Sequence, residues 1–408
     1  MSGQQFCPEM KAGIIMDNQY YIREAENVLL HTYNRAPVAL ERGEGVWVYD
    51  ADGRKYLDFA AGIAVMGLGY AHPVFTEAIK KQVEKIVHTS NLYYSCSTAD
   101  AAAALAAASQ MDRVFFTNSG AEAIEGALKS ARKYAYTKKS GKYEIIAMEN
   151  SFHGRTMGSL SVTGTSHYRE PFEPLVPGIR FAVYNDLDSV KALLNEKTCA
   201  IIAETVQGEG GIYPADPDFL TGLRRLCDET DTLLILDEIQ CGMGRTGYMF
   251  AWQGYGVKPD IMCMAKAIGN GIPTGAFAMT QRVADDSLVP GDHGTTYGGN
   301  PLAGMAVRTV LEIFDKEHIV EHVREIAGYL EPRLDELCRS RSDILERRGK
   351  GLMQGLVLEQ PVGDVVNRCR DNGLLVISAA GNVLRIVPPL IIEKEHADLF
   401  IDILTRCL

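Results

Sequence analysis

Between residues 113 and 280 the chain returns again and again to short runs that stay apolar instead of alternating with polar residues. These are RVFFTN (113–118), YEIIAM (143–148), CAIIAET (199–205), TLLILDE (232–238), DIMCMAK (260–266) and GAFAMT (275–280). A strand with one wet face alternates apolar and polar side chains, whereas a strand covered on both faces has no reason to. Helix-length segments such as AEAIEGALKSARKYAYTKK and PDFLTGLRRLCDE separate several of the runs. Parallel strands need crossovers of that length, so the pattern predicts an α/β fold with a mostly parallel central sheet.

The flanks read differently. From about residue 303, AGMAVRTVLEIFDKEHIVEHVREIAGYLEPRLDELC has the apolar stripe and charged face of long amphipathic helices. GLMQGLVLE, NGLLVIS and NVLRIVPP then read as strands of a separate sheet. Near the start, GVWVYDADGRKYLDF is a hairpin pattern, with Asp52-Gly53 between two strand-like runs. The expected division is an N-terminal segment (1–58) belonging with the smaller domain, a large domain (59–302) and a C-terminal small α+β domain (303–408).

Lys and Arg number 41 against 52 Asp and Glu, a net charge of −11. No Lys/Arg cluster stands out as a nucleic-acid surface, which leaves small metabolites as the expected partners. The nine cysteines are scattered from Cys7 to Cys407 without a C-x-x-C pair, so neither a zinc site nor a dithiol redox site is indicated. Free thiols within apolar runs suit a reducing compartment. The opening MSGQQFCPEMK lacks the basic-then-apolar order of a secretion signal. FAAGIAVMGLG and ADAAAALAAAS are too short to span a bilayer. A cytoplasmic location is expected, with no membrane and no metal.

Four motifs carry chemistry. In TNSGAEAIE (117–125) a strand ends and a helix begins, with Ser119 as N-cap and Glu122 three residues on, a capping-box pattern. Gly120 and Ala121 keep the first turn open, which suits either a phosphate on the free amides or an ordinary capped helix. GMGRTG (242–247) matches a dinucleotide fingerprint, but Asp260 precedes its strand and the next strand closes on Lys266. A nicotinamide cofactor is therefore excluded. Asp237 and Lys266 close successive strands, where α/β sheets place ligands. They form either a salt bridge or a pyridoxal phosphate site, the amine taking the cofactor aldehyde and the carboxylate holding the ring nitrogen protonated. SFHGRT (151–156) offers Phe152 for ring stacking and Arg155 for a carboxylate, with His153 read as a structural hydrogen-bonder outside the chemistry.

In this order, the motifs resemble the class III (ornithine/acetylornithine-type) aminotransferases of the fold-type-I pyridoxal phosphate superfamily. The stretches carrying the likeness are SGAEA, FHGRT, ETVQGEGG, LDEIQCGMGRTG, MAKAIGNGIPTGA and HGTTYGGNPLA. The resemblance implies that Lys266 holds the cofactor and moves the proton. It puts Asp237 at the pyridine nitrogen, Gln240 near the phenolic oxygen, Glu238 among the cofactor contacts and Phe152 on the ring. Ser119, Gly120 and Ala121 hold the phosphate, and Thr296 reaches the phosphate of a neighbouring subunit's cofactor in a homodimer. Arg155, Thr295 and Tyr33 are implied to meet substrate. Arg385 takes the α-carboxylate of glutamate or 2-oxoglutarate, and Glu209 covers Arg385 when an ω-amino donor binds.

The implied reaction moves a terminal amino group to 2-oxoglutarate in two half-reactions, giving a semialdehyde and glutamate. Gly62 resembles the acetylornithine group, leaving room for an acylated α-amine, while Tyr33 does not discriminate. Met66 and Tyr70 depart from the family pattern close to the pocket-forming turn. Succinylornithine, ornithine, 4-aminobutyrate and a lysine-type donor are the alternative amino donors. An aminomutase of the same fold would not need Arg385 and Glu209, and a non-catalytic cofactor-binding relative would not need Lys266 and Asp237.

Overall fold

The computed structural model describes residues 16–408. Cys7, the opening stretch read for a secretion signal and the start of the 1–58 segment lie outside the described residues.

All six apolar runs become strands of one seven-stranded sheet. In chain order its strands are β1 (Arg113–Thr117), β2 (Glu144–Met148), β3 (Ile179–Ala182), β4 (Thr198–Glu204), β5 (Leu233–Asp237), β6 (Ile261–Met264) and β7 (Gly275–Met279). Across the sheet the order is β1-β7-β6-β5-β4-β2-β3. Every residue of β2, β4, β5, β6 and β7 is buried, as continuous apolar runs require. The strand not anticipated, β3, sits at the edge, short and half-exposed, where apolarity is not demanded.

Only β7 runs antiparallel to its neighbours β1 and β6. That reversal has a use. The chain leaves β6, turns at Lys266–Ile268 and re-enters the sheet from the same end, so Lys266 and Thr274 stay together there. The helix Gly120–Thr137 covers one face with Ala123, Ile124, Ala127 and Ala131. Gly126 lets it lie close, because a Cβ there would be 2.1 Å from the Phe277 ring.

The ends of the chain meet. Trp47–Asp50 and Lys55–Asp58 form the expected hairpin, with Gly53 at φ 81°. Leu374–Leu375 adds parallel to its second strand. The segment read as one strand, NGLLVIS, in fact serves two sheets. Ile377–Ala379 pairs with Val383–Ile386 in a second four-stranded sheet. Phe59 and Phe400, both fully buried, stack at 4.3 Å between ring centroids and fasten the C-terminal helix to the hairpin strand's end.

The GMGRTG stretch opens no phosphate-binding helix; it is a run of turns that delivers Arg245 into the interior. Arg245 Nη1 donates to the carbonyls of Leu352 (3.1 Å) and Pro388 (2.5 Å). Burial pushes its pKa down to about 9 against the pull of Asp58. Four basic residues, Arg132, Lys133, Lys139 and Lys142, line one surface groove. Three are already engaged, Lys133 with Asp292, and Arg132 and Lys142 with main-chain carbonyls. No helix among the described residues is long and apolar enough to cross a membrane.

Removing a fully buried stacked ring leaves a cavity that close packing cannot refill. Phe400→Ala should therefore lower unfolding stability by about 3–5 kcal/mol, read as a fall in the urea midpoint. An unchanged midpoint would show that this contact does not fasten the two ends.

Candidate active site

At the carboxyl ends of β4, β5 and β6 lies a cavity of about 400 Å³. Lys266, Asp237, Gln240, Phe152, Arg155, Glu209, Ser119, Gly120 and Ala121 all line it, so strand ends and one helix start converge as the sequence suggested. Asn118, Val65, Glu204, Thr274 and the 271–273 turn line it as well, and sequence reasoning missed them.

Lys266 stands at φ 51°, a left-handed conformation that costs a side-chain-bearing residue energy. Among the described residues its amine has no ion-pair or hydrogen-bond partner. Burial pushes its pKa down, with Asp237 and Glu209 opposing and Arg385 adding to the fall. The salt bridge between Asp237 and Lys266, left open by the sequence, does not form. Asp237 instead accepts from His153 Nδ1 at 2.7 Å through Oδ2 and from the Ile239 amide at 2.9 Å through Oδ1. Burial pulls His153 down, but the hydrogen bond and charge of Asp237 win, and its pKa is raised. His153 thus stands directly behind the carboxylate, closer to the chemistry than its place in a turn suggested.

Ser119 caps its helix, its hydroxyl accepting from the Glu122 amide at 3.3 Å. The Glu122 carboxylate reaches one residue further back than a capping box would, to the Asn118 amide at 2.9 Å and its side chain at 2.8 Å. At Gly120 an added Cβ would stand 2.8 Å from Ile239 Cδ1, so a backbone without a side chain is what fits. The helix start carries free amides and the positive end of the dipole, a place for an anion.

At the cavity wall Glu209 meets Arg385 at 2.5 Å, and Gln240 and the Ser378 carbonyl also accept from its guanidinium at 3.2 Å each, while its buried Nε has no partner. Arg385 is almost wholly buried. Arg155 is exposed at the mouth, its guanidinium 3.7 Å from the Tyr168 ring centroid. Glu204 is buried at 6% exposure, accepting from the Phe152 and Gly208 amides, and burial pushes its carboxyl up to about 7.

Five expected site residues do not line the cavity of this chain, and one of them, Arg385, is held by Glu209, which does. Glu238 requires correction: its carboxylate accepts from the Ala251 and Trp252 amides at 2.8 Å each, capping a short helix on the far side of the strand end. Successive residues at a strand end point to opposite faces, so Asp237 and Glu238 cannot both face a ligand. Tyr33 is exposed beside Arg35. Thr295 accepts from the Asn118 side chain at 3.2 Å and the Gly298 amide at 3.1 Å, and Thr296 is exposed.

The turn that holds Gly62 is left-handed at four consecutive residues, Ala61 to Ala64, with φ between 48° and 63°. Asp58 secures it, accepting from the Ala60 and Ala61 amides at 2.9 Å, and Tyr70 donates to its other oxygen at 2.7 Å. Tyr70 is therefore a buttress of the turn. Met66 lies against Gly271, where its sulfur would be 3.1 Å from an added Cβ.

Residues 29–408 match the model of a family described as Aminotransferase class-III. The acetylornithine aminotransferase of Aquifex aeolicus is 47% identical over 93% of this chain and 99% of its own length. That of Methanocaldococcus jannaschii is 46% identical over 95% and 98%. Among solved structures, an ornithine aminotransferase from Toxoplasma gondii superposes with a TM-score of 0.91 at 32% identity, covering 96% of this chain and 94% of that one. The acetylornithine aminotransferase of Elizabethkingia anophelis superposes with a TM-score of 0.86 at 30% identity, covering 96% and 98%.

The Glu238 environment makes a pH prediction. Burial raises its carboxyl to about 7 from an unfolded value of 4.5, so its proton stays on longer in the folded chain. The stability this gives is full below pH 4.5 and is lost as the pH rises through about 7. Relative to Glu238→Gln, the wild type should lose about 2 kcal/mol between pH 5 and pH 8 in urea unfolding. Parallel curves for the two proteins would refute that environment.

Proposed function

The chain belongs to the class III aminotransferases, and from that membership we propose that it moves the terminal amino group of N2-acetylornithine, or a similar ω-amino acid, to 2-oxoglutarate. The products are a semialdehyde and glutamate. The observation that carries the proposal is an unpartnered lysine amine lining the same cavity as a glutamate that already covers a buried arginine.

Pyridoxal 5′-phosphate fits the residues present. The Lys266 amine is unpaired, the Ser119–Ala121 turn opens on free amides, Phe152 offers a flat face and Asp237 is aligned by His153. When bound, this group supplies an aldehyde that takes up the donor's amine and a ring that accepts the electron pair released at the donor's carbon. Asp237, backed by His153, would hold a proton on the ring nitrogen. Lys266, whose burial favours the neutral amine, would take the proton from the nitrogen-bearing carbon and return it to the carbon on the other side of that nitrogen. Gln240, which lines the cavity, would lie near the phenolic oxygen.

Substrate choice rests on the Glu209–Arg385 pair. An ω-amino donor brings its terminal amine inward and has no use for a bare guanidinium, so the closed pair suits it. 2-Oxoglutarate needs that guanidinium for its α-carboxylate, and Glu209 must swing aside. Arg155, at the mouth, takes the distal carboxylate of either substrate. In this reading residues 59–302 carry the cofactor, while 1–58 and 303–408 form the smaller unit that brings Arg385 to it. A second copy completes each site by lending Thr296 to its phosphate, with Thr295 and Tyr33 beside the substrate, in a cytoplasmic homodimer. Gly62 favours the acetylated donor, since an added Cβ there meets nothing nearer than 3.8 Å. The likeness to ornithine aminotransferase structures keeps ornithine as the second donor to try.

The deciding experiment follows the visible absorption of the pyridoxal-phosphate-loaded protein. N-acetylornithine alone should bleach the band and 2-oxoglutarate should restore it. A band that responds to ornithine but not to N-acetylornithine would replace the donor, and a protein that takes up no cofactor would sink the proposal. Lys266→Ala should keep its circular dichroism and lose at least about 10³-fold in turnover. Arg385→Lys loses the two-pronged grip, so KM for 2-oxoglutarate should rise about tenfold or more while KM for the donor moves less.

A further inference from the structure

Two loops form the wall between the flat aromatic side chain and the arginine gate. The first, following β2, carries Phe152, His153 and Arg155; the second, following β4, carries Gly208 and Glu209. Glu204, the last residue of β4, lies beneath both. Its Oε2 accepts from the Phe152 amide and its Oε1 from the Gly208 amide, each at 3.2 Å. One carboxylate thus holds the residue that faces the ring and the residue next to the gate.

The loops approach closely here. Gln207 donates to the Glu149 carbonyl at 2.8 Å, and a Cβ on Gly210 would fall 2.6 Å from the Asn150 carbonyl oxygen. Gly208 is pressed against the Gln240 amide, where an added Cβ would be 2.7 Å away. Glu209 therefore leaves a backbone pinned on two sides, one of them by Glu204.

We propose that Glu204 is a positioning residue that ties the closed Glu209–Arg385 gate to the Phe152 turn, so that discrimination between the two substrates depends on its two-pronged carboxylate. The proposal rests on the aminotransferase reading for its kinetic consequence, but the tie itself is a property of the folded chain. With the tie loosened, Glu209 covers Arg385 less of the time. A bare guanidinium disfavours the ω-amino donor and serves 2-oxoglutarate, so the two substrates should respond in opposite senses.

Glu204→Gln keeps the size but turns an NH₂ toward one of the two amides. Two measurements test the proposal. In the cofactor-free protein, hydrogen exchange at the Phe152 and Gly208 amides should speed up by about tenfold over wild type, the rest of β4 being unchanged. In the loaded enzyme, KM for N-acetylornithine should rise about tenfold while KM for 2-oxoglutarate holds or falls. Glu204→Asp, whose shorter carboxylate reaches only one amide at a time, should show the same skew in smaller measure and serves if the glutamine variant does not fold. Unchanged exchange at both amides, or an equal rise in both KM values, overturns the proposal. If wild type fails to turn over N-acetylornithine with 2-oxoglutarate, the functional reading falls while the exchange result still decides whether Glu204 makes the tie.

Discussion

The site depends on which partner Asp237 takes. A carboxylate at the end of a buried strand must be paired, and two cations stand within reach of that end of the sheet. Because Asp237 bonds to His153 and the Ile239 amide, Lys266 makes no pair with it, and burial outweighs the pull of Asp237 and Glu209 toward the charged form. Had the lysine taken the carboxylate, its amine would be protonated and useless as a base. The histidine therefore does two things at once: it aligns the acid and keeps it from the lysine.

The backbone makes this possible at a cost in strain. Lys266 sits in a left-handed conformation at the head of a tight turn, and the segment from Ala61 to Ala64 repeats that conformation four times. Strain of this kind, of order 1–2 kcal/mol per residue, persists only where surrounding contacts fix it. Here they do: Asp58 and Tyr70 brace the second turn, and the reversed strand β7 returns the chain just past the first.

Much of this was legible in the sequence because burial leaves a compositional trace. Six strands declared themselves by unbroken apolarity, and the charged residues ending two of them, Asp237 and Lys266, stood out for that reason. Glu204 also ends such a run, yet nothing in its spacing marked it, since its partners are backbone amides that carry no side-chain signature. His153 was read as a structural hydrogen-bonder, and its partner, Asp237, was not legible because it ends a strand two places away in the sheet. Glu238 was placed among the cofactor contacts by the resemblance, and the period of a strand turns it to the opposite face from Asp237. The edge strand Ile179–Ala182 left no trace because it is only half covered.

The pairing of the hairpin with Leu374–Leu375 bears on how such a chain is made. Arg54 hydrogen-bonds the Arg370 carbonyl, 316 residues further along, and Leu57 pairs with Leu374. During synthesis the hairpin must wait for some 316 further residues before its parallel neighbour exists. Contacts between near and far ends form late and carry a large closure entropy. The central sheet can assemble in the meantime, but the strand that carries Arg385 is finished last. The buried pair of Arg385 with Glu209 is then among the last contacts the chain can make.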